Sequence, residues 1–589
     1  MPVKAPAGEH QSLKPLIISI ALVCLGIVAY SNSLSGPFVY DDILAIRDNT
    51  DFGGQTDFGY TTLSDRPLLW LSFQADYAVA GKGVKGYHAT NLLIHLTAGL
   101  LLFGIVRRNL MRTQSWGSRF QNSAEWLAAV VAAIWMVHPL TTAAVTFISQ
   151  RAESLASLFY LLVIYCLIRA ADSERNSRAW SWGAIVACGL GTLTKETLVT
   201  APLLALMYDR TFLAGSFSSA LRTRRWLYWG LASTWGIVAI LVMQEHGKGD
   251  TVGYGLGISA IEYARTQLGV IAHYLRLAFW PRGLVLTASD WPIARHWNQI
   301  GVPGLLVAIL VIVAIVAFWK WPRAGFLLVS IFIILAPSSS IIPIITEIEA
   351  DHRMYLPLAA VVALVVVGGW MAALRWRLTR EAVVLAPALI VVLIVLTMLR
   401  NRDYRSQLTI WADTINKRPN DWTAHVGYGQ ALMEMALACE PRSQQQRTIA
   451  ASALPDLRRA LALAPPKYMS AAMLLSTVLQ LAGNDRESER FDTQLIQRYP
   501  DHFGEMLRRR GVHRLSRGNI NGGRADFEAA IAVDPKDVEA HYYLGTIMQV
   551  QRDLEGARAQ YQGVLQVNPH YRDVEARLKY LTGPPRDPE

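Results

Sequence analysis

Residues 1–400 carry one long apolar run after another, and residues 401–589 read as an ordinary soluble sequence. About 20 apolar residues suffice to cross a bilayer as a helix. Inside the hydrocarbon such a segment must satisfy its own backbone N–H and C=O groups, which a helix does. The first 400 residues are therefore expected to fold as a set of membrane helices. Composition agrees: 52% of the 589 residues are hydrophobic and 17% charged, against roughly 25% charged in a soluble domain.

Twelve candidate runs lie between residues 15 and 399. The first, from Pro15 to Tyr30, follows Lys4 and Lys14. It is long for a signal-peptide core and lacks a small-residue cleavage site, so it reads as an uncleaved span. The net charge of +11 does not point to nucleic acid, because many of the Arg and Lys residues flank apolar runs. Such residues mark cytoplasmic ends. They cluster at Lys4/Lys14, Arg107-Arg108 through Arg119, Arg169 to Arg178, Arg222 to Arg225, Lys320 to Arg323 and Arg375 to Arg380. Twelve crossings would put the last two clusters on the wrong side. The run 263–282 holds Arg265, His273, Arg276 and Pro281 at roughly helical spacing and reads as an amphipathic segment at the outer face. Without it, eleven spans remain, with the N-terminus inside and the C-terminal part outside.

The chain thus divides into a membrane domain (1–400), a linker (401–420) and a repeat domain (421–589). In the last, prolines close successive units at 419, 465, 500, 535 and 569, the final intervals being 35, 35 and 34 residues. That is the period of the tetratricopeptide repeat. Gly511, Phe527 and Ala530 in one unit, and Leu544-Gly545, Ala557 and Tyr561 in the next, occupy the small and aromatic positions where paired helices touch. An α-solenoid of this kind offers a surface to peptides or proteins. The four cysteines, Cys24, Cys166, Cys188 and Cys439, form no disulfide framework or metal-ligand spacing.

Ionisable residues gather at the expected outer ends of the spans. Asp41 and Asp42 follow the first span, and Asp65-Arg66-Pro67 lies in the loop beyond. Tyr87-His88 opens the second span and His138-Pro139 closes the third. Arg151 and Glu153 open the fourth, Lys195-Glu196 sits in a turn, and Asp351-His352-Arg353-Met354-Tyr355 opens a late span. Acids and bases near a bilayer are candidates for function. Each also has a plain structural reading: Arg151 pairs with Glu153 or a neighbouring acid, Lys195 with Glu196, and His138 caps a helix. Together they would line one cavity, its cations suited to phosphate oxygens and its carboxylates to a hydroxyl nucleophile.

The ordered elements Phe38-Val39-Tyr40-Asp41-Asp42, Arg66-Pro67-Leu68, Tyr87-His88-Ala89-Thr90-Asn91, His138-Pro139, Arg151-Ala152-Glu153, Lys195-Glu196 and Arg353-Met354-Tyr355-Leu356-Pro357, with repeats behind them, resemble the transmembrane-and-TPR O-mannosyltransferases and their bacterial relatives. That resemblance implies the GT-C architecture and a polyprenyl-phosphate sugar donor. It also implies inverting transfer to Ser/Thr hydroxyls of an extracytoplasmic protein held partly by the repeats. Asp41 or Asp42 falls where the family has its base. Arg353, Lys195 and Arg151 become candidates for the donor phosphate, and Arg66, His88, His138, Glu153, Glu196 and Tyr355 for the rest of the site. No cofactor is expected, although paired acids can hold Mg²⁺ or Mn²⁺. Where relatives have an acid before the Tyr-Leu-Pro arginine region, this chain reads Glu349-Ala350-Asp351-His352-Arg353. From a short repeat array and no retention-type C-terminus, the expectation is a bacterial inner-membrane protein with a periplasmic repeat domain. The alternatives are an oligosaccharide transferase or ligase with a diphosphate-linked donor, and a membrane-anchored repeat scaffold without catalysis.

Overall fold

The computed structural model describes residues 13–49, 66–112, 122–244, 258–339, 343–344, 347–465, 468–498, 502–569 and 571–582. Lys4, Asp65 and Pro500 lie outside them. Every element among the described residues is a helix. The chain forms two compact units, Met1–Ala424 and His425–Glu589.

In the first unit, five helices are long and apolar enough to cross a membrane: Val84–Met111, Ile148–Asp172, Gly301–Lys320, Pro357–Trp376 and Thr379–Asp403. A sixth is counted if Ala124–Met136 and Pro139–Thr146, bent by 53° at the His138-Pro139 break, act as one span. Lys14–Tyr30 and Pro322–Leu335 are apolar but shorter. Helix length and composition thus mark out five or six spans among the described residues, and eleven are not reached on that ground. The apolar faces fit lipid. Val302, Leu305, Ile309, Ile312 and Val316 are exposed along one helix, and Val384, Leu385, Val391, Val392 and Val395 along another. Exposed apolar stripes of this size mark a membrane or an interface.

Polar side chains tie the first and last spans together. Asn401 Nδ2 donates to Ala29 O and Asn32 Oδ1, both at 3.0 Å, and its Oδ1 accepts from Thr146. Thr397 donates to Val137 O at 2.7 Å. Between packed helices in a membrane, such bonds contribute about 0.6–2 kcal/mol each.

The segment expected to be amphipathic is the helix Ala260–Phe279, opened by a capping box of Ser259 and Glu262. Its buried stripe of Tyr263, Gln267 and Tyr274 supports the loop before Pro357. Tyr263 donates to Ser338 O at 3.0 Å, Gln267 to Ile348 O at 2.9 Å, and the Tyr274 hydroxyl accepts from Ala350 N at 2.8 Å. The expected linker is a helix, Gln407–Lys417, fastened within this unit by Lys417 Nζ on Leu284 O at 2.8 Å.

The second unit stacks helix pairs, including Phe503–Ser516 with Ile520–Val533 and Val538–Val550 with Leu554–Val567. Its small residues allow close approach. A Cβ on Gly511 would stand 2.9 Å from the Phe527 ring, and one on Gly545 would stand 2.8 Å from Tyr561. Both rings are fully buried.

Candidate functional site

The loop after the first helix is shaped by its own residues. Phe38 meets the Tyr87 ring edge-on at 5.5 Å, and His88 Nε2 is bonded to Gly36 O at 3.0 Å. Tyr40 is forced to φ 48°, an unusual conformation for a residue with a Cβ, and packs edge-on against Trp411 at 5.4 Å. Strain of this kind persists where surrounding contacts hold it, and here it sits directly before the aspartates.

The two aspartates do different work. Asp42 is fully buried. Its Oδ2 accepts from Val39 N at 3.1 Å and its Oδ1 from Ser149 N at 2.6 Å. It therefore pins the first loop to the turn before Arg151. Burial pushes its carboxyl up to about 7, against the pull of those backbone donors. Asp41 is exposed but lies in a recess walled by protein. Lost solvation, then the charges of Glu347 and Asp42, raise its carboxyl to about 7, and Arg66 works the other way. With one acid facing solvent and the other enclosed on backbone donors, the pair does not present a joint metal-binding face.

Arg151 does not face the recess as a free cation. Its Nε donates to Asn91 Oδ1 at 2.6 Å, and Nη1 donates to Ser72 O and Oγ at 3.1 and 3.2 Å. Nη2 donates to Asp76 Oδ2 at 2.5 Å and to Tyr87 O at 3.0 Å. The guanidinium also lies 4.6 Å over the Phe73 ring and is fully buried. Of the expected partners, Glu153 or a neighbouring acid, Arg151 takes the acid Asp76, and no N–H is left for a phosphate. His138 is likewise a cap: its Nδ1 accepts from Leu140 N at 3.1 Å, and Nε2 is bonded to Ala278 O at 3.2 Å. Tyr355 is buried beside Trp135. Its hydroxyl is bonded to His95 Nδ1 at 2.7 Å, and its carbonyl accepts from Trp135 Nε1 at 2.8 Å.

What remains is a group from four segments, with Arg66, Lys195, Glu196 and Glu347 partly exposed and Glu153 and His352 buried. Lys195 pairs with Glu153 across the turn, not with its neighbour Glu196. Glu196 is instead 3.4 Å from Arg66. Leu68 N on Leu193 O at 3.1 Å holds these two segments together. His352 Nε2 stands 3.7 Å from Glu347 Oε2, and Arg353 Nη2 donates to Glu347 O at 2.6 Å. Arg353 is buried, its Nη1 reaching Ile348 O at 3.5 Å, so it organises the 347–348 backbone from beneath. Burial, and then the Lys195 charge, push the His352 imidazole down to about 3. It is neutral at physiological pH.

Sequence reasoning missed Glu347 and Asp76. The signal for Glu347 was its position in the alternating Glu347-Ile348-Glu349 run just before the arginine motif. Asp76 lies on the helix Pro67–Ala80. Among the described residues, one cluster has the ligand types for a metal ion: His273, Glu349 and Asp351.

Residues 508–578 match the tetratricopeptide repeat family model. The chain is 33% identical over 212 residues to Protein O-mannosyl-transferase TMTC2 of Homo sapiens, covering 33% of this chain and 24% of that protein. It is 30% identical over 231 residues to Protein O-mannosyl-transferase Tmtc3 of Drosophila melanogaster, covering 34% and 25%. To the human TMTC3 it is 28% identical over 220 residues, covering 34% and 22%. The chain spans about a quarter of the length of these curated relatives. The matched third makes the chain a TMTC-like homologue of these proteins, with membrane-length apolar helices and tetratricopeptide repeats.

Proposed function

We propose that the chain is a membrane glycosyltransferase that moves a sugar, mannose by likeness to its relatives, from a polyprenyl-phosphate donor to Ser/Thr hydroxyls of an extracytoplasmic protein. The observation that carries this reading is Asp41: a solvent-reached carboxylate, set by a strained backbone, within reach of the Glu347 and Arg66 charges. A carboxyl near 7 is poised to take a proton at working pH.

In the proposed reaction Asp41 accepts the acceptor's hydroxyl proton. The oxygen attacks the anomeric carbon from the face opposite the phosphate, the bond to phosphate oxygen breaks, and the configuration inverts. Lys195 and Arg66, both partly open, neutralise the departing phosphate. Charge held ready for a developing anion is commonly the largest contribution to such rates. Arg353 acts beneath them by fixing the Glu347 segment, Asp42 fixes the base, and Arg151 braces the helices below. Glu153, Glu196 and Glu347 balance the cations. Because Lys195 and Arg66 each already face an acid, the group suits one phosphate better than a diphosphate. A scaffold would need neither these buried charges nor so many spans.

The proposal keeps eleven crossings. Besides the six described above, they are Lys14–Tyr30, Ser177–Thr192, Ala201–Tyr208 with its extension to Leu213, Arg225–Gln244, and Pro322–Leu335. Ala260–Phe279 lies along the outer face. Arg108, Arg169, Arg224, Lys320 and Arg375 then fall at the cytoplasmic side, as the positive-inside rule asks. The repeats face the acceptor outside, in the periplasm on the bacterial reading. The test is transfer of labelled sugar from polyprenyl-phosphate mannose to protein in membranes, lost with Asp41→Asn.

A further inference from the structure

Beneath the loop that carries Glu347, His352 and Arg353 lies a second acidic pair with no part in the transfer reading. Glu349 is 1% exposed, and neither of its carboxylate oxygens has a hydrogen-bond partner. Asp351 is 5% exposed. Its Oδ2 accepts from Val285 N at 3.0 Å, and its Oδ1 is buried and unpartnered. His273 approaches from the supporting helix, and one ligand atom from each of the three residues lies within 4.8 Å of the others.

Buried carboxylates are almost always hydrogen-bonded, paired or metal-bound. Most donors of the nearby cations are engaged elsewhere, while Arg400 Nη2 has no hydrogen-bond partner among the described residues. Arg418 donates to Asp290 at 2.6 Å, and Arg400 holds Asp403 and Asp413 at 2.9 and 2.7 Å. Lys417 bonds Asp413 and Leu284 O, and Arg353 bonds the carbonyls of Glu347 and Ile348. Arg276 donates towards His273 Nδ1 at 3.3 Å. One oxygen from each carboxylate and a ring nitrogen thus lie close together, and three of the four carboxylate oxygens accept no hydrogen bond among the described residues.

We propose that Glu349, Asp351 and His273 bind a divalent first-row cation. Two carboxylates with one imidazole favour Mn²⁺ or Zn²⁺ over Ca²⁺. Ligands on bonds of about 2.1 Å stand at most about 4.2 Å apart, so small side-chain rotations complete the site. The ion bridges the supporting helix to the segment that ends in His352 and Arg353. It therefore holds that segment in place without touching substrate. Binding at this site is independent of whether the transfer reading is correct.

The test uses the full-length protein in detergent, stripped with EDTA and reloaded with Mn²⁺ or Zn²⁺. Wild type is expected to retain about one equivalent more than Glu349→Gln/Asp351→Asn, while Asp41→Asn retains as much as wild type. Bound Mn²⁺ should also show nitrogen hyperfine coupling that disappears in His273→Gln. Equal metal in wild type and the double variant, both with the same size-exclusion profile, would overturn the proposal and leave the acids sharing a proton. If the double variant fails to fold, the nitrogen coupling decides: its absence from Mn²⁺-loaded wild type overturns the site.

Discussion

Replacing Arg151 by lysine should damage stability before it damages chemistry. The guanidinium is fully buried and spends its donors on Asn91, Ser72, Asp76 and the Tyr87 carbonyl. Lysine keeps one charge and can reach only part of this set. It leaves Asn91 Oδ1 or the Tyr87 carbonyl without a donor and loses the planar stack on Phe73. Each orphaned buried acceptor costs about 1–3 kcal/mol, and breaking a buried ion pair outright costs about 3–5 kcal/mol. The lysine variant should therefore lose about 3 kcal/mol, and Arg151→Ala more, because Asp76 is then uncompensated. The assay is thermal unfolding of the detergent-purified full chain, followed by tryptophan fluorescence. A drop of several degrees is expected for lysine, with the remaining folded protein still active. A variant that melts like wild type but cannot transfer sugar would refute the brace and return Arg151 to the phosphate.

Asp42→Asn should also destabilise, by about 1–3 kcal/mol, because an amide N–H₂ would face the N–H of Val39 or Ser149. Unchanged melting of that variant would show that the two backbone bonds are not made. Transfer should rise with pH through about 7, because both aspartates sit near that value and the base must be ionised. The midpoint belongs to the coupled pair, and a flat profile from pH 6 to 8 would contradict the assignment. The same raised carboxyls bind protons more tightly in the folded chain than in the unfolded one. They therefore subtract stability as pH climbs from about 4 to 7, which melting curves across that window will register as a falling midpoint. A protease added to the outer side of sealed membranes should remove the repeats while sparing the Arg375 to Arg380 loop, and cleavage of that loop would overturn the eleven-span arrangement.

The repeat phase was legible because its signal is local: Gly511 and Gly545 must be small where Phe527 and Tyr561 cross them. The polar residues at span ends were legible too, since a charge beside a long apolar run stands out in one dimension. Their pairings were not. Lys195 and Glu196 are neighbours in sequence, but consecutive residues leave a turn in different directions, so Lys195 reaches Glu153 and Glu196 reaches Arg66. Arg151 found Asp76 because Pro67–Ala80 is a short helix whose apolar pattern had been absorbed into a loop. The different settings of Asp41 and Asp42 depend on a turn at Tyr40 and on Ser149, a residue more than a hundred positions away. Length is the remaining limit: Lys14–Tyr30 and Pro322–Leu335 are apolar but too short to identify as spans without their neighbours.

The central claim is that Asp41 is the base for sugar transfer, and a single comparison tests it. Membranes holding wild type, Asp41→Asn or Asp42→Asn at equal folded levels are given labelled polyprenyl-phosphate mannose, and label in protein is counted. Asp41→Asn should fall by roughly 10²–10⁴-fold with a melting temperature no lower than that of wild type, whereas the Asp42 variant should lose activity only in step with its lost stability. Near wild-type transfer by Asp41→Asn would contradict the account.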